Sequence, residues 1–250
     1  MAGRTFAIGD IHGDLDALRT VIGKLPLVDK DDTVVFLGDY LDRGPHSREV
    51  IGIVMGLDKD VGCKVVCLRG NHEDAWLRVR ERRWDEFVFP PQNGCFATYR
   101  SFAFGAPPAR GEMPKMADMD PMFSGSFFPP EVVAWMEGLA LWYEDEHAIY
   151  VHAGLAEKDG AFLHPKDTAQ KMALMWTRTD RFFREYRGKL VVIGHTVTEL
   201  LPQELSTHTP ADPTDMWVSE SIIAIDTGAG KEDGFLTAVE LPSRKVYESR

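Results

Sequence analysis

Little in this 250-residue sequence points to a covalent frame. Its three cysteines, Cys63, Cys67 and Cys95, are an odd number with no CxxC pair, which argues against a disulfide scaffold or a zinc ribbon. Cys63 and Cys67 flank a strand-like Lys64-Val65-Val66 and read as buried thiols. Positive charge is not in excess. The formal net charge is −11, which disfavours wrapping a nucleic-acid backbone. A small anionic ligand stays open, because a bound metal reverses the local field. No apolar run is long enough to span a bilayer, and the opening MAGRTFAIGD has no apolar leader core. There is no internal repeat and no domain boundary. These absences read as a soluble cytoplasmic protein folded as one domain over residues 1–250.

What is present is an alternation. Residues are 44% apolar and 27% charged, the balance of a globular protein with a substantial core. Short apolar runs at Thr5–Ile8, Thr33–Leu37, Lys64–Leu68, His147–Val151, Leu190–Ile193 and Ile222–Ile225 read as buried strands. Leu15–Leu25 and Ser47–Leu57 carry apolar residues three or four apart, as in packed helices, with Asp14 and Ser47 as candidate caps. Strand and helix alternate up to Leu77, the mark of an α/β layer architecture. Residues 106–126, rich in Pro, Met and Gly, read as a long loop or flap. Pro129–Leu139 reads as a helix with prolines at its start, Pro202–Met216 as a second loop, and Gly234–Glu248 as two strands joined through Pro242 and Ser243.

The chemistry sits at the ends of the strands. Asp10 and His12 follow the first strand in GDIHG. Asp39, Asp42 and Arg43 follow the second in GDYLDRG, and Asn71, His72 and Glu73 follow the third in RGNHE. His152 in VHAG and His195 in IGHT follow two more. Ligands of open α/β sheets bind outside the carboxyl ends of strands. One such residue would be a turn or a helix cap; five strands in agreement point to a site. Trp76, Trp84 and Trp135 read as packing. Arg78, Arg80, Arg82 and Arg83 read as a solvated helix face.

Asp10, His12, Asp39, Asn71, His152 and His195 form an oxygen and nitrogen donor set without thiolate, which suits Mn, Fe, Zn or Co. Asp39 is placed to bridge two ions. Two divalent ions, two aspartates and one hydroxide leave a positive centre that draws a phosphate dianion, and Arg43 adds to the attraction. Such a pair supplies hydroxide at neutral pH, polarised phosphoryl oxygens and a clamp on an in-line displacement. His72 is the candidate acid for the leaving alkoxide, with Asp42 holding its ring.

The motifs GDIHG, GDYLDRG, RGNHE, VHAG and GHT, with NGCFATYRSF and WTR at Trp176–Arg178, resemble the phosphoprotein phosphatases of the calcineurin-like metallophosphoesterase superfamily, most of all their short bacterial and phage members. The resemblance runs from Gly9 to Thr196. It implies a four-layer α-β-β-α sandwich of two mixed sheets flanked by helices. It also implies two divalent ions, usually manganese and sometimes iron or zinc. Asp10, His12 and Asp39 would hold one ion, and Asp39, Asn71, His152 and His195 the other. His72 with Asp42 would be the general acid, and Arg43 and Arg178, assisted by Arg69, would grip phosphate. The implied substrate is a phosphoprotein, phosphopeptide or phosphorylated small molecule. Phosphoserine and phosphothreonine rank first, with phosphotyrosine beside them. Ile225–Gly230 reads IDTGAG where eukaryotic members carry a SAPNY-type loop. Related symmetrical dinucleoside tetraphosphatases share a similar TG segment, so that activity ranks second. A non-catalytic binding module ranks third, since no proposed ligand is missing.

Overall fold

The computed structural model describes residues 3–250; Met1 and Ala2, part of the opening segment read above, lie outside them. The chain runs β1 (Thr5–Ile8), α1 (Leu15–Lys24), β2 (Thr33–Phe36), α2 (Ser47–Asp60), β3 (Lys64–Cys67) and α3 (Asn71–Arg82). It continues with α4 (Asp85–Val88), α5 (Cys95–Phe102), α6 (Met116–Ser124), α7 (Pro130–Gly138), β4 (Trp142–Glu144) and β5 (Ile149–Val151). A small hairpin, β6 (Glu157–Lys158) and β7 (Ala161–Phe162), precedes α8 (Lys171–Trp176), α9 (Asp180–Glu185) and β8 (Val191–Ile193). The last strands are β9 (Trp217–Val218), β10 (Ile222–Ala224), β11 (Thr237–Leu241) and β12 (Lys245–Glu248).

Two mixed five-stranded sheets result, ordered β12-β11-β1-β2-β3 and β4-β5-β8-β10-β9. β1, β2 and β3 are parallel, as are β5, β8 and β10, while the remaining strands pair antiparallel. Side chains alternate across a strand, and that period sorts the core. Ala7, Val35, Tyr150, Val192, Ile223 and Val239 meet between the sheets. Phe6, Ile8, Val34 and Phe36 face the other way, onto a layer with Leu18, Val50 and Trp76 from α1, α2 and α3. Ile149, Val151, Val191 and Ile193 pack outward against Leu174 and Phe182 of α8 and α9. The expected four-layer sandwich is therefore present. Each layer of sheet buries apolar surface on both faces, which is why the parallel strands read as continuous apolar runs.

Several local expectations change. Asp14 caps α1 as read, its Oδ1 accepting from Ala17 N–H at 3.0 Å. Ser47 does not cap α2. Its hydroxyl instead accepts from Asp42 N–H at 3.1 Å and bonds Thr98 Oγ1 at 2.9 Å, which diverts it to the loop after β2. The run 106–126 is not loop throughout. It ends in α6, where the Asp118 carboxylate accepts from Lys115 N–H at 2.8 Å and starts the helix despite Pro121. β5 begins at Ile149 rather than His147, because the N–H groups of His147 and Ala148 bond the Asp145 carboxylate. Cys63 and Cys67 are half-buried rather than buried, since β3 is an edge strand. Among the described residues, no helix is long and apolar enough to cross a membrane.

Candidate metal centre

Each expected donor lies just past a strand end, where the backbone turns sharply. His12, Asp39, Asp42, Arg43 and His195 all have left-handed backbone, with φ of 47°, 52°, 73°, 66° and 67°. Such positions cost a non-glycine residue about 1–3 kcal/mol each and persist only where the surroundings over-determine them. Here the loops after β1 and β2 brace each other. Ile11 and His12 N–H both donate to Asp39 O at 3.0 and 2.9 Å, and Gly44 N–H donates to His12 O at 2.8 Å. Close approach also demands glycine. A Cβ on Gly194 would stand 1.9 Å from Asp10 Oδ1, and one on Gly70 would stand 2.1 Å from Asp39 Oδ1.

Asp39 sits at the middle of the cluster. Its Oδ2 is 3.4 Å from His12 Nε2 and 3.9 Å from His72 Nε2, while its Oδ1 is 3.5 Å from His152 Nε2. Asp10 Oδ2 lies 4.0 Å from His12 Nε2. Asn71 Oδ1 meets His152 Nε2 at 3.0 Å and His195 Nδ1 at 2.8 Å. All six residues are buried. Two sets, His12–Asp39–His72 and Asp39–His152–His195, have ligand atoms within 4.8 Å of one another, and Asp39 belongs to both. His72 enters the first set, but its other nitrogen is committed: Nδ1 is 2.7 Å from Asp42 Oδ2.

The tautomers suit a metal. His12 Nδ1 is 2.9 Å from Leu41 O, and His152 Nδ1 is 2.9 Å from Leu37 O. A ring that donates Nδ1–H to a carbonyl presents a lone pair at Nε2, as metal-bound histidines do. Burial, reinforced by the charge of Arg43, pushes the His12 pKa well down. Burial also lowers that of His152, and burial with His152 and Arg178 lowers that of His195. Each of these shifts favours the neutral ring, the ligating form. Their lone pairs face carboxylates and an amide oxygen that are acceptors too. Asp10 Oδ1, His12 Nε2 and His195 Nε2 are buried without any hydrogen-bond partner. A divalent cation would satisfy this donor set.

The carboxylates carry the same message. Burial, then the neighbouring Asp226 and Asp39, pushes the Asp10 carboxyl well up. Burial acts on Asp39 likewise, but its interactions with His152, His72 and His12 outweigh it and hold that carboxyl well below the usual range. His72 differs from the other rings. Burial opposes its charge, yet Asp39 and the Asp42 hydrogen bond overcome burial and raise its pKa. An imidazole tied at Nδ1, with Nε2 facing the cluster, has the geometry of a proton donor.

The arginines divide. Arg43 and Arg178 flank the cluster, Arg43 acting on His12 and Arg178 on His195. Arg43 Nε and Nη1 are buried without partners, and Arg178 Nη2 lies 3.4 Å from His195 O. Arg69 stands apart: it donates to Glu137 O and lines a groove along α3 with Arg78, Arg80 and Arg82.

Three supporting residues were given no role at the site from sequence. The Glu73 carboxylate accepts from the N–H groups of Asp39, Tyr40 and Gly70 at 3.0, 2.9 and 3.0 Å, which fixes the loop bearing Asp39. Burial, then the charge of Asp39, pushes its pKa up to about 8. Trp76 Nε1 donates to both Asp42 oxygens at 3.0 Å, so a packing residue also orients the partner of His72. Its spacing of four from His72 on α3 was the available signal. Asp226, just past β10, is buried with an unpartnered Oδ2 and obeys the same strand-end pattern as the donors.

The profile of the family described as calcineurin-like phosphoesterase matches residues 3–199. Among curated proteins, the serine/threonine-protein phosphatase rdgC of Drosophila melanogaster is 39% identical over 72 residues, 29% of this chain and 11% of that protein. The serine/threonine-protein phosphatase SIT4 of Candida albicans is 43% identical over 72 residues, 28% of this chain and 23% of that protein. The matches thus span under a quarter of these relatives' length. A cold-active protein-tyrosine phosphatase of a psychrophile, Shewanella sp., superposes with a TM-score of 0.59 at 16% identity, covering 100% of this chain and 81% of that one. A metallophosphoesterase from Sphaerobacter thermophilus superposes with a TM-score of 0.54 at 18% identity, covering 99% and 87%. These two likenesses show the shared fold.

Proposed function

The chain belongs to the calcineurin-like phosphoesterase family, and from that premise we propose that it hydrolyses phosphate monoesters on protein side chains, phosphoserine and phosphothreonine first. The observation that supports this best is the convergence of neutral imidazole lone pairs and buried carboxylates on Asp39, with the His72–Asp42 pair at its edge. In our reading Asp10, His12 and Asp39 hold one divalent ion, and Asp39, Asn71, His152 and His195 the other. The thiolate-free donors suit manganese, with iron or zinc as further occupants. When bound, the ion pair supplies Lewis-acid polarisation of phosphoryl oxygens and a nucleophile at neutral pH. The protein does the rest. Arg43 and Arg178 hold and orient the phosphate, and Arg69 adds positive potential from one side. His72 Nε2–H delivers a proton to the leaving oxygen while Asp42 keeps the ring charged and in register. Unpaired cysteines suit a cytoplasmic setting.

A second reading, symmetrical hydrolysis of dinucleoside tetraphosphates, draws support from Lys231. Burial, then Arg43, lowers its pKa, and Arg178 acts on it too, so a third cation stands near the cluster, as a polyphosphate would require. A panel of phosphopeptides and dinucleoside polyphosphates, run with added Mn and with chelator, decides. Metal-dependent turnover of the phosphopeptides is expected. Turnover confined to the dinucleotides would replace the first reading with the second.

A further inference from the structure

A groove of about 690 Å³ runs between α3 and α7. Four arginines line it, Arg69, Arg78, Arg80 and Arg82, in a chain whose net charge is −11. Its floor is apolar, from the half-buried Leu77 and Val133. Three carboxylates share the groove, but one of them is withdrawn. Asp74 is buried, and its Oδ2 accepts from Arg78 Nε at 2.8 Å and from Trp176 Nε1 at 2.9 Å. The remaining guanidiniums are not neutralised in the same way. Arg69 Nε is buried without a hydrogen-bond partner, and Arg80 Nη1 donates to the backbone oxygen of Gly125. Exposed Arg82 has no ion-pair partner among the described residues. Arg69, Arg80 and Arg82 therefore face only Glu81 and Glu137.

The groove begins where the proposed chemistry does. Arg69 and Gly70 lead straight into Asn71, a proposed metal donor and the first residue of α3. Residues three and four apart share one helix face, so Asn71, Asp74, Arg78 and Arg82 form one stripe. At a rise of about 1.5 Å per residue, Arg78 stands about 10 Å and Arg82 about 16 Å along the axis from Asn71. An extended peptide advances about 3.3 Å per residue. A chain that leaves its phosphorylated residue at the metal centre and follows α3 brings roughly its third residue to Arg78 and roughly its fifth to Arg82.

We propose that this groove docks an acidic segment of a protein substrate, with carboxylates about three and five residues from the phosphorylated side chain. The proposal rests on the phosphoprotein reading above and adds a sequence preference to it. Arg82 offers its whole guanidinium fork to a carboxylate, and Arg78 offers the Nη1 that neither Asp74 nor Met172 engages. Exposed ion pairs each shift affinity only a few-fold. The groove therefore acts on KM and on the choice of substrate, and leaves the chemical step to the metal centre.

The test uses the full chain with added Mn. Phosphoserine peptides carry glutamate, glutamine or lysine at the third and fifth positions, on either side of the phosphoserine. On one side, glutamate at both positions should lower KM about fivefold against glutamine, with kcat changed less than about twofold. Arg82→Glu, on an exposed turn of α3, should leave turnover of p-nitrophenyl phosphate unchanged. It should cancel the preference for glutamate at the fifth position and install one for lysine, while the third position keeps its own. A non-hydrolysable phosphonate version of the glutamate peptide should bind the metal-loaded protein about fivefold more tightly than its glutamine counterpart, measured by calorimetry, and the margin should shrink as salt rises. Equal KM for the three peptides on both sides, or a glutamate preference that Arg82→Glu leaves intact, would overturn the proposal. A phosphonate preference that Arg82→Glu removes, in a protein that turns over no peptide, would uphold the groove and sink the hydrolytic reading.

Discussion

At the scale of residues, two roles separate cleanly. Asp39 touches both halves of the donor set, so Asp39→Asn removes the shared charge; turnover is expected to fall at least about a hundredfold, alongside reduced metal content by elemental analysis. His72 is tied to Asp42 at 2.7 Å, and in our proposal it acts on the leaving group. His72→Asn is therefore expected to lower kcat about 10²–10⁴-fold on phosphoserine peptides with KM little changed. On p-nitrophenyl phosphate, whose leaving group needs no proton, the loss should be much smaller. Equal losses on the two substrates would remove His72 from the proton-donor role. Gly194→Ala offers a third check. Its methyl would displace Asp10, so metal affinity measured by calorimetry is expected to weaken about 10–100-fold in a protein that still folds. The six proposed donors stand out in the sequence because their types and strand-end positions coincide, and the structure brings them together. Glu73 and Trp76 do not stand out, because their work is done through hydrogen bonds to backbone and to Asp42, which residue type alone does not reveal.

At the scale of elements, β1, β2, β5, β8 and β10 were legible because they are buried on both faces. Short edge strands such as β4 and β9 were not, since two or three residues carry no period. Composition misled at 106–126: Pro121 signalled loop, while the Asp118 bond to Lys115 N–H, a single side-chain contact, was enough to begin α6. One element contact has a pH signature. Arg4, leading into β1, grips the buried Asp32 through Nη2 at 2.6 Å and through its backbone N–H at 2.8 Å. Burial alone would raise the Asp32 carboxyl, but these bonds outweigh it and lower its pKa. As pH falls, the unfolded chain therefore takes up this proton before the folded one. The stabilisation is complete above the unfolded value of about 3.9 and is lost as pH drops through the lower folded value. Asp32→Asn is expected to be less stable at pH 6 and to show a shallower loss of stability in acid, measured by urea unfolding across pH. An unchanged acid slope would dismiss the contact as a contributor.

At the scale of the whole molecule, the donors come from both sheets: Asp10, His12, Asp39 and Asn71 from one, His152 and His195 from the other. A cation bound there favours only the docked arrangement, so its removal should lower the melting temperature. An ion present at a hundred times its dissociation constant contributes about 2.7 kcal/mol, enough to read by calorimetry with and without chelator. Identical melting curves would mean that the centre forms without holding the sheets together.

That two-sheet origin has a kinetic side. Asp10 Oδ2 already accepts from His195 N–H at 2.9 Å, across 185 residues of chain. Closing a loop of that length is among the slowest and least favourable events in assembling such a fold. The ion that in our reading joins Asp39 and Asn71 of one sheet to His152 and His195 of the other would behave as a reversible crosslink, formed late and released first. Its arrival would therefore serve as a clock for the last step of folding, and ion uptake followed in a stopped-flow refolding trace should coincide with the slowest phase rather than with the early appearance of helix.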